Sequence, residues 1–559
     1  MNHASPLELS RLRYQPPLPR ILLSLEHLGL RASSPSELKE GCESIKQLFP
    51  RTYNQGPILF AAGEPEAKSA RLRVGVVLSG GQAPGGHNVI AGLYDALKEL
   101  HPGSTLLGFR GGPAGILKNE TIEITAALID NYRNLGGFDM IGSGRTKIEG
   151  QEQLLASLAT ADRCALDGLV IIGGDDSNTN AAHLAEFFLS AGSKTRIVGV
   201  PKTIDGDLKS REIEISFGHD TACKVYNELI GNLMRDALSA RKYYHFVKLM
   251  GRSASHIALE CALKTHPNLV LIGEEIAAAK TTLDGLTHQI ATLITERSAA
   301  GKEFGVILIP EGLIEFLPEI GSLIRELNTL LAREEIRTEV DRLSHIDERI
   351  SVLCGHLSPD SALCFARLPY TTQAELLFER DPHGNVQVSK IATEQLLIAT
   401  VTHELAKRAA AGIYRGSFHP VHHFFGYEGR SAMPSQFDCQ YTYALGYTSA
   451  LLINAHLTGY MATIHNLTQP CDVWQVGGTP ITALMQMEER KGKRVPVVKK
   501  ALVDLQGPAF KTLVRNRARW AKDDLFGYPG PIQFTGPQEV VGELPLTLIL
   551  ESQGAGTIA

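Results

Sequence analysis

The stretches RVGVVLSGG (residues 73–81), LDGLVIIGG (166–174) and RIVGVPKT (196–203) decide the fold. Each is a short apolar run, rich in β-branched residues, that ends in or near Gly or Pro, as buried strands of a parallel sheet do. Helical patterns such as TNAAHLAEFFLSAG (179–192) lie between them. This alternation indicates an α/β domain with a parallel sheet, and such sheets bind ligands at the carboxyl ends of their strands.

A second series of strand patterns follows farther along the chain. FVKLMG (246–251), NLVLIGEE (268–275) and FGVILIPEG (304–312) each end in Gly or an acidic residue. From 313 to about 412 the pattern turns helical and charged, which indicates a helical insertion, and residues 1–70 are typical of an N-terminal extension. We therefore predict an α/β fold with two Rossmann-like parallel-sheet domains, a helical insertion and an N-terminal extension.

The composition is that of a folded globular protein. Hydrophobic residues make up 43% and charged residues 21% of the 559 residues, which excludes disorder, collagen and a disulfide-stapled miniprotein. The formal net charge is −5, so no overall positive field draws the chain to nucleic acid or to an anionic membrane. We predict neither as a partner, and any basic site must be local.

The features that report on location favour the cytoplasm. Eight Cys are scattered without a CxxC pair, as expected of buried thiols in a reducing compartment. No apolar run approaches the roughly 20 residues that span a bilayer. The N-terminal stretch MNHASPLELSRLRYQPPLPR lacks the basic and apolar regions of a secretory signal.

A glycine-rich segment, LSGGQAPGGHN (78–88), follows the first strand and precedes a helical pattern. Gly80 and Gly81 would let backbone amides approach an anion at a helix N-terminus. The spacing matches neither GxGxxG nor a Walker A loop. A phosphate site and a plain strand-to-helix turn both remain open on this segment alone.

Two adjacent acids follow the next strand in IIGGDDSNTNA (171–181). Helix capping explains one acid at this position but not two. Magnesium binds one or two carboxylates and then phosphate oxygens of the substrate, and Asp175 at a strand end suits that role. A metal ligand and a cap remain equally open from the motif.

The segment VPKTIDGDL (200–208) follows a third strand and carries Lys202, Thr203, Asp205 and Asp207. An Asp-Gly-Asp sequence also occurs as ordinary turn chemistry. An Asp at this edge of the sheet can accept the proton of an attacking hydroxyl, while a nearby Lys holds phosphate. Phosphoryl transfer needs such a set of metal, cation and base.

Further segments supply groups that can bind an anionic sugar. MGR contributes Arg252, PEG contributes Glu311, and YEGR contributes Tyr427 and Arg430. Each alone is also explained by ordinary surface or turn chemistry. The segment RKYYHF is either a basic and aromatic surface patch or a means of offering Lys242 to a phosphate across a subunit boundary.

In order along the chain, SGG, GGDDSN, PKTIDGD, MGR, PEG and YEGR form a series that resembles the phosphofructokinase family, and specifically its pyrophosphate-dependent branch. The series spans residues 79–430, and the similarity in strand rhythm extends from about 70 to 510. Each motif is weak alone, but all of them in this order are specific. The helical insertion and the long N-terminus resemble the long form of these enzymes, which is related to the plant catalytic subunit.

The resemblance implies a reversible, magnesium-dependent enzyme of glycolysis. It would transfer a phosphoryl group from pyrophosphate to the 1-hydroxyl of fructose 6-phosphate, giving fructose 1,6-bisphosphate and phosphate, as a homodimer whose active sites are shared between subunits. Two alternatives remain. One is an ATP-dependent phosphofructokinase, and the other is a non-catalytic regulatory subunit, against which the intact base and metal positions count.

The resemblance also implies roles for the matching residues. Asp205 would be the general base, Asp175 the magnesium ligand, and Lys202 and Asp176 further catalytic residues. The implied substrate-binding residues are Gly81, which would contact pyrophosphate; Thr203, Ile204 and Asp205 at fructose 6-phosphate; Met250, Gly251, Arg252 and Glu311 at the sugar; Tyr427, Glu428, Gly429 and Arg430 at the 6-phosphate; and Lys242 and Tyr243, which would reach the neighbouring subunit's substrate.

The phosphoryl donor depends on two of these positions. ATP-using relatives carry Gly where this chain has Asp176 and Lys202. A carboxylate at 176 would lie where the α-phosphate of a nucleotide belongs, and two unit charges about 4 Å apart repel by roughly 4 kcal/mol at an effective dielectric constant near 20. Pyrophosphate has no such group, so we expect it to be the preferred donor.

The resemblance finally implies a division of the chain. A phosphoryl-donor α/β domain would comprise residues 71–217 plus about 440–510, and a sugar-phosphate α/β domain would comprise 218–440, with the insertion at about 313–412. Residues 1–70 would form the extension and 511–559 a C-terminal tail.

Overall fold

The structure, a computed structural model, describes residues 5–34, 42–64, 69–380, 385–490 and 493–554. They belong to two compact units, and the chain passes between these units several times. Unit 1 comprises Met1–Val225, Glu428–Ala501 and Ile532–Leu548; unit 2 comprises Tyr226–Tyr427, Leu502–Pro531 and Ile549–Ala559. The segment expected to form a tail, 511–559, is therefore divided between the two units. The functional boundaries at 217 and 440 stay predictions.

The strands, in chain order, have the following bounds. They are β1 (Leu28–Ala32), β2 (Ile58–Ala62), β3 (Arg73–Ser79), β4 (Thr105–Phe109), β5 (Thr121–Ile124), β6 (Ser143–Gly144), β7 (Gly168–Gly173), β8 (Arg196–Pro201), β9 (Tyr244–Leu249), β10 (Leu269–Val270), β11 (Gly305–Pro310), β12 (Pro420–Phe425), β13 (Tyr460–His465), β14 (Gln475–Pro480), β15 (Met485–Arg490) and β16 (Lys493–Val498).

The helices outnumber the strands. They are α1 (Pro6–Arg13), α2 (Cys42–Leu48), α3 (Gly86–Leu100), α4 (Pro113–Lys118), α5 (Ala126–Ile129), α6 (Gln151–Arg163), α7 (Asp175–Ser190), α8 (His219–Ala240), α9 (His256–Thr265), α10 (Gly273–Ala278), α11 (Leu283–Ala299), α12 (Leu313–Phe316), α13 (Pro318–Leu331), α14 (Glu334–Asp341), α15 (Ile346–His356), α16 (Pro359–Arg367), α17 (Tyr370–Phe378), α18 (Thr393–Ala410), α19 (Tyr427–Arg430), α20 (Gln436–Asn454), α21 (Pro508–Asp523), α22 (Gln538–Val541) and α23 (Leu546–Gln553). Short 3₁₀ helices occupy Arg20–Leu23, Leu25–His27, Val388–Lys390, Cys471–Val473 and Ile481–Leu484.

The main sheet of unit 1 has the strand order β1-β2-β14-β13-β8-β7-β3-β4-β5, with β6 also paired to β3. Its central strands β13, β8, β7, β3 and β4 are parallel neighbours. The strands β7, β3 and β8 are almost entirely buried, because helices cover both faces of such a sheet. The predicted strands in residues 73–81, 166–174 and 196–203 are therefore confirmed as strands of a parallel sheet, and they lie at its centre.

The sheet of unit 2 has the order β10-β11-β9-β12, and all of its strands are parallel. The strands β9 and β11 are fully buried. The strand predicted in NLVLIGEE is only two residues long, because Gly273 begins α10 and the two glutamates belong to the first turn of that helix.

The helical insertion extends from α12 to α18 and packs within unit 2. Its apolar core contains the fully buried side chains of Leu323, Leu353, Phe365 and Leu397, together with residues of the sheet such as Phe246. The insertion therefore shares one core with the sheet, and the predicted fold class is confirmed. In the part of the chain that the structure describes, no helix is long and apolar enough to cross a membrane.

Candidate active site

The carboxyl ends of three adjacent strands of unit 1 carry the donor-side residues. The glycine loop (residues 80–85) follows β3, Asp175 begins the helix after β7, and Lys202 follows β8. Gly80 adopts a φ of 87°, a conformation that favours glycine. The Nζ atom of Lys202 donates a hydrogen bond of 2.8 Å to the carbonyl oxygen of Gly81. Separate sequence motifs therefore meet at one edge of the sheet.

Positive side chains surround the glycine loop. A Cβ atom at Gly81 would lie 3.6 Å from Nη2 of Arg145 and 3.6 Å from Nη1 of Arg430. Arg430 also donates a 2.7 Å hydrogen bond to the side chain of Gln82. With Lys202, three cations therefore face the loop, and any side chain at position 81 would occupy the space beside them. This is the arrangement expected of a phosphate site.

Lys202 is only 6% exposed. Burial lowers the pKa of Lys202 to about 8, with Arg145 adding to the decrease, while Asp205 and Asp175 oppose it. The amine is therefore still mainly protonated at neutral pH, but its charge is poorly hydrated. A buried cation of this kind interacts strongly with an anion that reaches it.

Four acids form what we call the carboxylate cluster: Asp175, Asp176, Asp205 and Asp207. Burial, together with the negative charges of Asp205 and Asp175, raises the pKa of Asp207 to about 7. Asp176 differs from Asp207 because its side chain is 49% exposed, with Oδ1 3.7 Å from Nζ of Lys147. The cluster thus extends from a buried acid to a solvated one.

The loop that carries Asp205 is fixed by hydrogen bonds on both sides. The backbone N–H of Asp205 donates to Oγ1 of Thr203 at 3.1 Å. The carbonyl of Thr203 accepts from the hydroxyl of Ser216 at 2.9 Å, and the carbonyl of Ile204 is 2.8 Å from Nδ1 of His219. Residues 203–205 are therefore held in one conformation without using the carboxylate of Asp205.

Asp175 suits a divalent cation. Its Oδ2 atom is buried and accepts no hydrogen bond within the described part of the chain, and Nζ of Lys500 lies 3.4 Å from it. No preformed group of three or more His, Cys, Asp or Glu ligands exists among the described residues. Magnesium needs only one or two carboxylates, with water and substrate phosphate completing its shell, so Asp175 fits this metal better than it fits zinc.

Unit 2 carries the residues predicted to bind the sugar. The backbone N–H of Gly251 donates a 2.9 Å hydrogen bond to Oε2 of Glu311, and Glu311 is 1% exposed. Gly251 has a φ of 131°, and Met250 is tied to Phe425 by a 2.9 Å backbone hydrogen bond. The MGR and PEG motifs therefore form one structure at the ends of β9 and β11.

The predicted cations of unit 2 are exposed. Arg252 and Lys242 both lie at the surface of the unit, and Nζ of Lys242 lies 4.9 Å from the centroid of the half-buried Tyr243 ring. Tyr427 is 59% exposed and packs edge-on against Phe424 at 6.3 Å. These side chains are available to a ligand or to another chain.

The YEGR motif forms the short helix α19, and the two ends of this helix belong to different units. Tyr427 belongs to unit 2, whereas Glu428, Gly429 and Arg430 belong to unit 1. Glu428 is exposed and Gly429 is buried. Arg430 lies beside the glycine loop, and the role of these residues at the 6-phosphate stays a prediction.

Sequence reasoning underestimated several charged residues of unit 1. Arg145 and Lys147 lie in the segment IGSGRTKI (141–148), where the pattern alone indicates only solvated loop charges. Lys500 was missed entirely, although two consecutive lysines directly after an apolar strand were a usable signal. Asp207 was noticed in its motif, and only the structure shows that it is 5% exposed.

Comparisons with known proteins show the family of this chain. Residues 73–358 match the family model described as Phosphofructokinase. The chain is 51% identical to the pyrophosphate–fructose 6-phosphate 1-phosphotransferase of Treponema pallidum, over 98% of this chain and 96% of that protein. It is 51% identical to subunit beta 1 of the enzyme of that name from Arabidopsis thaliana, over 98% and 94% of the two chains, and 42% identical to subunit alpha from Solanum tuberosum, over 95% and 87%.

Solved structures show the same fold. The structure of the pyrophosphate-dependent phosphofructokinase from Nitrosospira multiformis superposes with a TM-score of 0.54 and covers 86% of this chain and 96% of that one. The sequence identity of this pair is 14%, so the likeness supports the architecture alone.

Proposed function

The chain belongs to the phosphofructokinase family, and we propose that it transfers a phosphoryl group reversibly from pyrophosphate to the 1-hydroxyl of fructose 6-phosphate. The observation that carries this proposal is the set of three cations at the glycine loop, with Lys202 hydrogen-bonded to Gly81. Two phosphate groups of a donor can be neutralised there without contact to a base or a ribose. Two relatives are 51% identical to this chain, and their names support the same donor and acceptor.

In the reaction, Asp205 accepts the proton of the sugar 1-hydroxyl. The oxygen then forms a bond to the transferred phosphorus, and the bridging P–O bond of pyrophosphate breaks with its electron pair leaving on phosphate. Lys202, Arg145 and Arg430 stabilise the charge that develops on this leaving group. The backbone N–H of Asp205 donates to Thr203, and the carbonyl of Thr203 accepts from Ser216. These hydrogen bonds fix the backbone at Asp205 before substrate binds.

Magnesium would be held by Asp175, whose buried Oδ2 lacks a hydrogen bond. When bound, the ion neutralises phosphate oxygens and assists their alignment. The chain itself supplies the rest of the charge compensation through Lys202 and the two arginines at the glycine loop. We assign the metal to Asp175 rather than to Asp207, because Oδ2 of Asp175 lacks a hydrogen bond and its side chain is 19% exposed, whereas Asp207 is only 5% exposed.

Asp176 supports pyrophosphate over ATP as the donor. It lies in the first turn of α7 beside Asp175, and a carboxylate about 4 Å from an α-phosphate would repel it by roughly 4 kcal/mol at an effective dielectric constant near 20. Its exposure and the neighbouring Lys147 reduce this repulsion through screening. A discrimination of about a hundredfold is therefore the reasonable expectation from this residue.

For the acceptor, we propose that unit 2 binds the sugar through Met250, Gly251, Arg252 and Glu311. The buried carboxylate of Glu311 keeps the backbone of Gly251 in place and would accept hydrogen bonds from sugar hydroxyls. Arg252 is exposed and can pair with a phosphate. The exposed Lys242 and the half-buried Tyr243 would serve the site of a second copy, in a cytoplasmic homodimer.

A donor comparison on the purified full chain tests the proposal. With fructose 6-phosphate and Mg²⁺, formation of fructose 1,6-bisphosphate should be faster with pyrophosphate than with ATP by at least a hundredfold. Faster turnover with ATP would replace the proposal by the ATP-dependent alternative. No turnover with either donor, in a folded chain, would favour a regulatory subunit.

A further inference from the structure

Lys500 has no role in the reaction described above, yet it lies against the carboxylate proposed to bind metal. Its Nζ atom is 3.4 Å from Oδ2 of Asp175, and its side chain is 36% exposed. The other three acids of the carboxylate cluster also act on its charge. This lysine is therefore a counter-ion built into the site.

The backbone around Lys500 is fixed on both sides. The N–H of Lys499 donates to the carbonyl of Leu484 at 2.8 Å, and the N–H of Ala501 donates to the carbonyl of Asp207 at 2.7 Å. Lys500 is consequently anchored directly to the loop that carries the catalytic acids. Its position does not depend on a mobile chain end.

The hairpin that precedes Lys500 is also attached to α7. The N–H of Val498, the last residue of β16, donates to Oγ1 of Thr179 at 2.9 Å, and the same hydroxyl donates to the carbonyl of Asp175 at 2.9 Å. One threonine thus connects the strand before Lys500 to the backbone of Asp175. The contact between the two charged side chains follows from this attachment.

We propose that Lys500 occupies the side of Asp175 that a divalent cation must use, so that the lysine and the metal compete for this carboxylate. The inference rests on the proposed function, because it takes Asp175 as the metal ligand. A magnesium–oxygen distance is about 2.1 Å, so an ion on Oδ2 would lie within a few ångströms of the ammonium group if Lys500 stayed in place. Repulsion between them requires the lysine side chain to move away when the ion binds.

The charges around Lys500 show what this lysine does in the metal-free protein. Without a cation, four neighbouring carboxylates would repel one another, and Lys500 lowers that cost in the metal-free protein. Lys500 is thus a counter-ion of the metal-free site and not a catalytic residue.

Mn²⁺ binding to the full chain without substrates, measured by electron paramagnetic resonance, tests the proposal. Lys500→Met should bind Mn²⁺ at least fivefold more tightly than the wild type, because the ion no longer displaces a charge. Lys500→Arg should stay within twofold of the wild type. Lys499→Met, at the exposed neighbouring lysine, controls for the loss of one positive charge in the same segment and should also stay within twofold.

Weaker or unchanged Mn²⁺ binding in Lys500→Met would overturn the proposal, since a lysine that assists the metal or only supports the hairpin predicts one of these results. Asp175→Asn separates this failure from failure of the proposed function. If Asp175→Asn leaves Mn²⁺ binding intact, the metal assignment itself is wrong. If Asp175→Asn abolishes binding while Lys500→Met has no effect, only the competition is wrong.

A second measurement covers the case in which Lys500→Met does not fold. Reductive methylation of the wild-type chain, quantified by mass spectrometry, should modify Lys500 at least twofold faster with saturating Mg²⁺ than without it. Lys499 should react at the same rate in both conditions. An unchanged or slower rate at Lys500 would overturn the proposal.

Discussion

In unit 1, the charged candidate residues lie close together, and opposite charges compensate one another. In unit 2, backbone hydrogen bonds hold the candidate residues in place, and the cations are exposed. In unit 1, the buried Lys202 contacts the glycine loop and lies close enough to the acids for their charges to act on its pKa. In unit 2, Glu311 is tied to the N–H of Gly251 while Arg252 remains at the surface. The first arrangement is pre-organised for chemistry, and the second for binding.

This difference predicts which kinetic constant each unit controls. Groups in unit 1 act on charge that develops during the reaction, so their loss should lower kcat. If groups in unit 2 bind the sugar as proposed, equally before and during the reaction, their loss should raise KM for fructose 6-phosphate. Variants in the two units can therefore contradict or refine the comparison.

Replacing the proposed base should have the largest effect. Asp205→Asn keeps the shape of the side chain and the hydrogen bond from its backbone to Thr203, but it cannot accept a proton. We expect kcat to fall by about 10³-fold or more, since general-base catalysis contributes about 10²–10⁴-fold, with KM for fructose 6-phosphate within threefold. Steady-state kinetics in both directions measures this.

Asp167→Asn is a suitable control for that variant. Asp167 directly precedes β7, at the opposite end from the catalytic acids, where it accepts a hydrogen bond from the backbone N–H of Arg73. Its loss should affect stability and leave kcat near the wild-type value. If Asp205→Asn retains more than a tenth of the wild-type kcat, Asp205 is not the base.

Removing Asp176 should have the next largest effect, on the choice of donor. In Asp176→Gly, the ratio of kcat/KM for pyrophosphate to that for ATP should fall by about a hundredfold, the discrimination expected from a partly screened charge. The fall should come from improved use of ATP. If the ratio changes by less than threefold, or if only pyrophosphate turnover declines, the electrostatic explanation is wrong.

Two arginines provide the most direct comparison of the units. Arg252→Ala in unit 2 should raise KM for fructose 6-phosphate by about ten- to a hundredfold, because a charge-assisted hydrogen bond contributes about 1.5–3 kcal/mol, and should leave KM for pyrophosphate within threefold. Arg430→Ala in unit 1 should lower kcat and raise KM for pyrophosphate by about tenfold.

The result for Arg430 also decides which phosphate this arginine binds. The motif resemblance assigns Arg430 to the 6-phosphate of the sugar, whereas the structure has it beside Gly81 and hydrogen-bonded to Gln82. An effect of Arg430→Ala confined to KM for fructose 6-phosphate would restore the assignment from the motif. Equal effects of both arginine variants on both substrates would remove the proposed division of roles.

The sequence could predict the strands and the acids that follow them, because buried parallel strands are continuous apolar runs and their ends carry the loops. It could not predict that Lys500 contacts Asp175, because the two residues lie more than three hundred residues apart in sequence and meet only through a hairpin attached to α7. Nor could it place Arg430, since the four residues of its motif divide between the two units. Such contacts depend on tertiary packing, which leaves no local pattern.

The pH dependence of stability should show the smallest effect, with opposite signs in the two units. Burial, with Asp205 and Asp175, raises the pKa of Asp207 in unit 1 to about 7. Burial, with His245 and His422, lowers the pKa of His423 in unit 2 to about 4. Between about pH 4 and 7 the native state therefore binds more protons than the unfolded state at Asp207, and between about pH 4 and 6.5 it binds fewer at His423.

As the pH rises, the contribution of Asp207 to the free energy of unfolding therefore decreases, and that of His423 increases. The free energy of unfolding of Asp207→Asn minus that of the wild type should therefore increase by about 1–2 kcal/mol from pH 5 to pH 8. For His423→Gln, the same difference in free energy of unfolding should instead be greatest near pH 4 and smaller at pH 7. The change between these two pH values should be less than about 1 kcal/mol, because the His423 ring is only half-buried and solvent screens its charge. Urea unfolding of the three proteins at matched pH values measures both trends. If the two trends had the same sign, the two units would not differ in how burial affects their titratable groups.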